Sequence, residues 1–146
     1  MTKPHLLEGA EGDRYPLGTI SMRLLADAPR TGGVFALAEF SGGEGAWTVP
    51  HIHRQTEESF YVLDGRFTFT LGEEEREVGP GGFIVVPRGK RHLMRAGTDG
   101  GRLLTLWTPG GAEAMFIELS GMPADSLRDP DVRRALSARF DSVPVT

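Results

Sequence analysis

Short apolar runs broken by glycine and proline dominate the chain, and their period is nearer two residues than 3.6. In Arg66-Phe-Thr-Phe-Thr-Leu71 the alternation is strict: Phe67, Phe69 and Leu71 fall on one face of a strand, and Thr68 and Thr70 on the other. Similar runs predict strands over residues 19–25, 34–40, 47–53, 59–63, 76–78, 83–86, 92–96 and 102–108. Between 59–63 and 66–71 stands Asp64-Gly65, a pair that tolerates positive φ and predicts a hairpin. Gly97-Thr-Asp-Gly-Gly101 predicts a turn before 102–108, and Glu73-Glu74-Glu75 a solvated turn.

The ends of the chain read differently. Residues 1–18 have no period and predict an arm laid on the surface or on a partner. His5 lies there, in a segment of the kind that is seldom fixed well enough for chemistry. Residues 112–119 suit either a short helix or an edge strand. Pro130–Phe140 predicts a helix, with Asp129 as N-cap, Pro130 at the first helical position and Val132, Leu136 and Phe140 four apart. That stripe needs something to cover, the mouth of a barrel or another subunit. Many short strands without βαβ alternation predict an all-β sandwich or barrel with a C-terminal helix. The expected division is an arm over 1–18, a barrel over 19–110 and a helical extension over 111–146.

Composition narrows the function. A chain of 146 residues with 20 Gly and 10 Pro fits one turn-rich domain. The absence of Cys excludes a disulfide framework and a thiolate zinc site. A formal charge of −4 gives no reason to expect nucleic acid. The sequence offers no apolar run of membrane-spanning length and no signal-peptide pattern at residue 1, so a cytoplasmic protein with no membrane partner is expected.

The candidate chemistry lies in two stretches. In the first, His51 and His53 are two apart and so share a strand face, and Glu58 heads the next apolar run. The second carries His92 just after a strand and the turn Pro87-Arg-Gly89. Any one of these histidines alone would be an ordinary surface or core residue. Together, His51, His53, Glu58 and His92 make an N/O donor set for one divalent ion of Fe, Mn, Ni, Co, Cu or Zn, with positions left for water or substrate. Phe60 shares parity with Glu58, Met94 shares parity with His92, and Phe69 faces inward on the paired strand. These three are expected to wall a substrate site, though inward aromatics are more often plain packing. Tyr61 and Trp107 suit the mouth or a dimer interface. Arg88, Lys90 and Arg91 suit either an anionic substrate or a solvated turn.

The two stretches resemble the paired motifs of the cupin superfamily. Gly45, His51, His53, Glu58 and Gly65 match G-x5-H-x-H-x4-E-x6-G throughout. Gly81, Pro87, Gly89 and His92 match G-x5-P-x-G-x2-H-x3-N, and Ala96 replaces the final Asn, which puts local turn chemistry in question and leaves the ligands intact. The resemblance is to small, single-domain, quercetin-dioxygenase-like cupins. It implies a double-stranded jelly-roll barrel, a metal-dependent dioxygenase or related oxidoreductase acting on a small enolic or phenolic compound, and Glu58 as ligand and as base toward the substrate hydroxyl. It also implies a homodimer, which the helix stripe, the arm and open sheet edges independently favour. Two alternatives stay open: a non-catalytic small-ligand or sensor protein, and a metal-dependent isomerase or epimerase.

Overall fold

The computed structural model describes residues 3–145; Met1, Thr2 and Thr146, at the outer ends of the expected arm and extension, lie outside the described residues. The strands are β1 (Arg14–Leu17), β2 (Ile20–Ala26), β3 (Ala36–Gly42), β4 (Gly45–Ala46), β5 (His51–Ile52), β6 (Glu57–Leu71), β7 (Glu74–Val78), β8 (Phe83–Val86), β9 (His92–Thr108) and β10 (Val143–Pro144). The helices are α1 (Ala28–Thr31), α2 (Glu113–Ser120) and α3 (Pro130–Phe140), with a 3-10 turn at Ala124–Leu127. The strands form one antiparallel system in the order β1-β2-β3-β9-β5-β10; β4 also pairs with β9, and β6 joins β9 to β7 and β8. This is the predicted all-β jelly-roll barrel with a C-terminal helix.

Two predicted turns are absent. Residues 59–63 and 66–71 are not a hairpin around Asp64-Gly65, but parts of the single 15-residue strand β6. Likewise 92–96 and 102–108 are one 17-residue strand, β9, with no turn at 97–101. The two long strands pair with each other from Glu57↔Thr108 to Leu71↔His92, and their register slips on either side of Asp64 and Gly65. The slip moves the inward positions of β6 from Glu58, Phe60 and Val62 to Phe67 and Phe69. In β9 they move from His92, Met94 and Ala96 to Leu103, Thr105 and Trp107. A bulge inserts a residue and bends the strand, so one strand serves both layers of the barrel. Glycine is needed there for close approach: Gly65 has φ +76, and a Cβ on it would lie 2.1 Å from the Gly100 carbonyl oxygen. Ala96 lies inside β9, buried, at the position where the family's turn residue was expected.

The ends are tied to the barrel. The last residues of the expected arm form β1 on β2, with Leu17 buried, because Tyr15 and Leu17 supply apolar positions two apart. Farther out, His5 Nε2 contacts the Leu25 carbonyl at 2.7 Å, remote from the other histidines. Residues 112–119 resolve into helix α2, whose Phe116 stacks on Trp107 at 5.7 Å and meets Phe40 edge-on at 5.2 Å. In α3, Asp129 caps the Asp131 N–H and Leu136 is buried, with Val132 and Phe140 packed beside it. The stripe therefore covers this chain's own barrel mouth rather than a free face. β10 then pairs with β5, so the sheet extends past both ends of the expected barrel, 19–110. Among the described residues no helix is long and apolar enough to cross a membrane.

Candidate metal centre

Three strands bring the four predicted ligands together. His51 opens β5 and lies directly across the ladder from His92, the first residue of β9. Glu58 is the second residue of β6, and His53 follows β5 directly. The unbroken strand predicted over 47–53 is interrupted: the Trp47 and Thr48 N–H groups both turn to the Met94 carbonyl, and Pro50 has no N–H to give a ladder. The face-sharing of His51 and His53 survives the break. In the turn after β8, the Gly89 N–H donates to the His53 carbonyl at 2.6 Å, which ties the two motifs together. One ligand atom from each of His51, His53, Glu58 and His92 lies within 4.8 Å of all the others, and each residue is no more than 5% exposed.

The histidine rings share one orientation. Nδ1 of His51 contacts the Val49 carbonyl at 2.7 Å, that of His53 the Asp141 carbonyl at 2.7 Å, and that of His92 the Lys90 carbonyl at 2.9 Å. A carbonyl can only accept, so Nδ1 carries the proton in each ring. Nε2 then presents a lone pair to the centre when the ring is neutral. Two of these atoms face Glu58 Oε1, His92 Nε2 at 3.0 Å and His53 Nε2 at 3.4 Å. The other carboxylate oxygen accepts from the Trp107 indole N–H at 2.5 Å. Three lone pairs and a carboxylate crowded together repel unless a proton or a cation lies among them. His53 Nε2, buried without a hydrogen-bond partner, fits the same need. Carbonyl partners on the far nitrogen are the usual means of aiming metal-binding imidazoles. The cluster could hold one divalent ion, and a set of nitrogen and oxygen donors without sulfur suits first-row transition metals.

Charge within the cluster is uneven. Burial, helped by the neighbouring His92 charge, pulls the His51 pKa down to about 3. For His53 burial also opposes protonation, but the adjacent Glu58 carboxylate, 3.4 Å away, outweighs it and raises the pKa above the usual value. Burial alone would raise the Glu58 pKa; contact with His53 and His92 holds it well below the ordinary carboxylate value.

A cavity of about 260 Å³ opens onto the cluster, walled mainly by apolar side chains including Trp47, Phe60, Met94, Trp107 and Phe116. Of the three expected wall residues, Phe60 and Met94 line it. Phe69 does not: it stands behind Phe60, ring centroids 5.3 Å apart, because the register slip carries it to the other half of the barrel. Trp107 is fully buried and bonded to Glu58, so it lies at neither a mouth nor an interface. Tyr61 is 43% exposed on the outer surface. Arg88 and Lys90 are exposed and, like Arg91, lie off the cavity wall; Arg88 pairs with Glu57 at 3.7 Å. A larger groove of about 630 Å³ along β7 and β8 contains none of the four ligands.

Sequence reasoning missed Asp141. It follows α3 in the left-handed region, φ 53 and ψ 40, which Asp tolerates better than most residues. Its carbonyl accepts from His53, while its carboxylate accepts from the Arg54 and Gln55 N–H groups, both at 2.8 Å, and from the Thr56 hydroxyl at 3.0 Å. Burial pushes its pKa up, but these donors and the His53 charge hold it below the ordinary value. An Asp just past a helix was the only trace of this in the sequence.

Comparison with known proteins agrees with this geometry. Residues 36–109, just over half of the chain, match the family model described as a cupin domain. The chain is 32% identical over 127 residues to quercetin 2,3-dioxygenase of Bacillus subtilis, covering 87% of this chain but only 37% of that protein. Two solved structures share the fold. KdgF from Halomonas sp. has a TM-score of 0.68 at 22% identity, over 77% of this chain and 99% of its own. An RmlC-like cupin from Shewanella frigidimarina has a TM-score of 0.65 at 17% identity, over 77% and 96%. With the motifs, the barrel and the family model in agreement, the chain belongs to the cupin family.

Proposed function

We propose that the protein is a metal-dependent oxidoreductase of the dioxygenase type, acting on a small enolic or phenolic compound. The observation that carries this reading is a buried cluster of three histidines and one carboxylate, of which His51, His53 and Glu58 line a mainly apolar cavity. Similarity to a relative named for quercetin 2,3-dioxygenase supports the reaction class, although the chain spans 37% of that protein. The cavity argues for a different substrate size. At about 260 Å³ it lies below the range of roughly 300–1,000 Å³ that suits drug-sized ligands, so a single ring or an open-chain enol fits better than a three-ring flavonol.

Bound at His51, His53, Glu58 and His92, a divalent ion would supply a Lewis acid for the substrate oxygen and, if redox-active, a path for electrons from the substrate to oxygen. The protein's own contribution is positional. Three backbone carbonyls fix the imidazoles, and the Trp107 N–H fixes Glu58. Phe60 and Met94 keep water from the reacting face, with Phe69 bracing Phe60 from behind. Glu58 is assigned two roles, ligand and acceptor of the substrate hydroxyl proton. Its low pKa supports the first; the second requires its hold on His53 and His92 to loosen as substrate arrives.

The reading includes pairing of two copies of the chain. Phe83 and Val85, 62% and 49% exposed, lie on one outer face, and Phe83 pairs across the sheet with Tyr61.

An oxygen electrode tests the activity. Protein loaded with Fe, Mn, Ni, Co or Cu is offered catechols, β-diketones and flavonols. Uptake is expected with the one-ring and open-chain compounds. No uptake with any compound and any metal would overturn the reading, leaving a ligand-binding cupin or an isomerase, which fold likeness alone does not distinguish.

A further inference from the structure

Among the described residues, four buried side-chain polar atoms lack a hydrogen-bond partner: Arg23 Nε, His53 Nε2, Thr105 Oγ1 and Arg133 Nε. The last three belong to residues lining the metal-centre cavity. His53 is explained by the cation its lone pair fits. Arg133, in the first turns of α3, is not. Its guanidinium makes one long hydrogen bond, Nη2 to Ser142 Oγ at 3.4 Å. None of the ion pairs among the described residues involves it. Arg23, by contrast, holds Glu39 at 3.1 Å. Burial lowers the Arg133 pKa with no anion to offset it, yet a guanidinium stays charged in a protein. A partly buried, unpaired cation is costly, and the usual remedy is an anion placed beside it.

We propose that Arg133 is the anion-binding subsite of this cavity, and that the substrate is a carboxylic acid whose carboxylate Arg133 takes while its enol or phenol oxygen faces the four ligands. The proposal rests on the functional reading above and narrows its substrate class. A guanidinium offers a planar set of donors that matches a carboxylate, and Arg133 lines the cavity without an ion-pair partner among the described residues. Arg128, exposed, also lines the cavity and adds positive charge at its edge. Thr105, in the same wall, likewise has a hydroxyl without a partner, and the remaining wall is mainly apolar. Together these describe a compact anionic group on an apolar body. Arg133 is also tied to the centre through the backbone, since Ser142 directly follows Asp141, whose carbonyl orients His53.

Calorimetry on metal-loaded protein under nitrogen, where turnover is absent, provides the test. Its probes are two matched pairs: 3,4-dihydroxybenzoate with catechol, and benzoate with benzamide. Each acid is expected to bind about ten-fold or more tightly than its neutral partner. Arg133→Gln should abolish that preference, weakening the acids far more than their neutral partners. Arg133→Lys should restore only part, because it keeps the charge and loses the fork. Acids that bind wild type no better than their partners, or not at all, would overturn the proposal without reliance on any variant. A preference undiminished in folded Arg133→Gln would also overturn it. Oxygen uptake is measured separately on the same acids: acid preference without uptake would remove the dioxygenase reading and leave the anion subsite standing.

Discussion

The backbone carbonyl of Asp141 accepts the Nδ1–H of His53 at 2.7 Å, across 88 residues of sequence. The same residue's carboxylate holds the backbone of Arg54 and Gln55 and the hydroxyl of Thr56. One residue after the last helix thus orients a ligand and anchors the loop that follows it. Asp141→Ala should lower stability by about 1–3 kcal/mol and metal affinity by about ten-fold, since it frees the three donors held by the carboxylate and so loosens the backbone that presents the carbonyl to His53. Asp141→Gly should lose the same contacts but better tolerate the left-handed backbone, so it should be the less destabilised of the two. Chemical denaturation and metal titration measure both effects. Unchanged metal affinity in both variants would show that His53 is held by other means.

Removing ligands should empty the centre. Each of His51→Ala, His53→Ala and His92→Ala takes away one of four donors, and a His51→Ala, His92→Ala double variant leaves two. Elemental analysis of purified protein should show the wild type carrying up to one ion per chain and the double variant almost none. Stoichiometric metal in the double variant would place the site elsewhere.

Metal binding should release protons near neutral pH, and His53 is one source. His51, at about 3, is already neutral, and Glu58 is already ionised, so neither gives up a proton. His53 has its pKa raised above 6.5, so part of its population is protonated at pH 7 and must lose that proton to bind. Affinity should therefore fall as pH drops through the His53 value, with up to one proton displaced from that ring per ion. Calorimetry in buffers of differing ionisation enthalpy counts that proton. A release near zero at pH 6.5 would contradict the assignment.

Trp107→Phe isolates one hydrogen bond. It keeps a ring between Phe40 and Phe116 while removing the indole N–H that donates to Glu58 Oε2. A buried carboxylate oxygen then lacks its donor, and the metal-free protein should lose about 1–3 kcal/mol. The loss should shrink in saturating metal, where the cation stabilises the same charge. A deficit equal with and without metal would mean that lost packing dominates.

Pairing of two copies is tested on the outer strands. Light scattering at micromolar concentration should give a dimer for wild type and a monomer for Phe83→Asp, which puts a charge on the exposed face. A wild-type monomer would count against the pairing.

Much of the barrel and its metal centre is legible in the chain because spacing carries direction. Side chains two apart share a face, so spacing alone aims His51 and His53 together and places Phe60 beside Glu58. The N-cap Asp129 and the four-residue stripe mark α3 to the residue. Phe69 faces inward as expected, but the strand runs on through Gly65 instead of turning back, so the side chain lies in the other half of the barrel and off the cavity. The same glycine reads as a turn because a chain reversal and a close backbone approach both need a residue without Cβ. Asp141, Trp107 and Arg133 are invisible for a different reason. Their importance lies in what stands opposite them, and no period within one strand or helix carries that information.

Seen in time rather than in space, the placement of β10 and Asp141 has a further consequence. A chain emerging from the ribosome presents all four ligands once residue 92 is out, with Trp107 following soon after. The clasp on His53 and the last strand beside His51 arrive only with residues 141–144. The ligands are thus made well before the segment that aims two of them, so that segment's docking, and not the gathering of the four side chains, completes the geometry around His51 and His53.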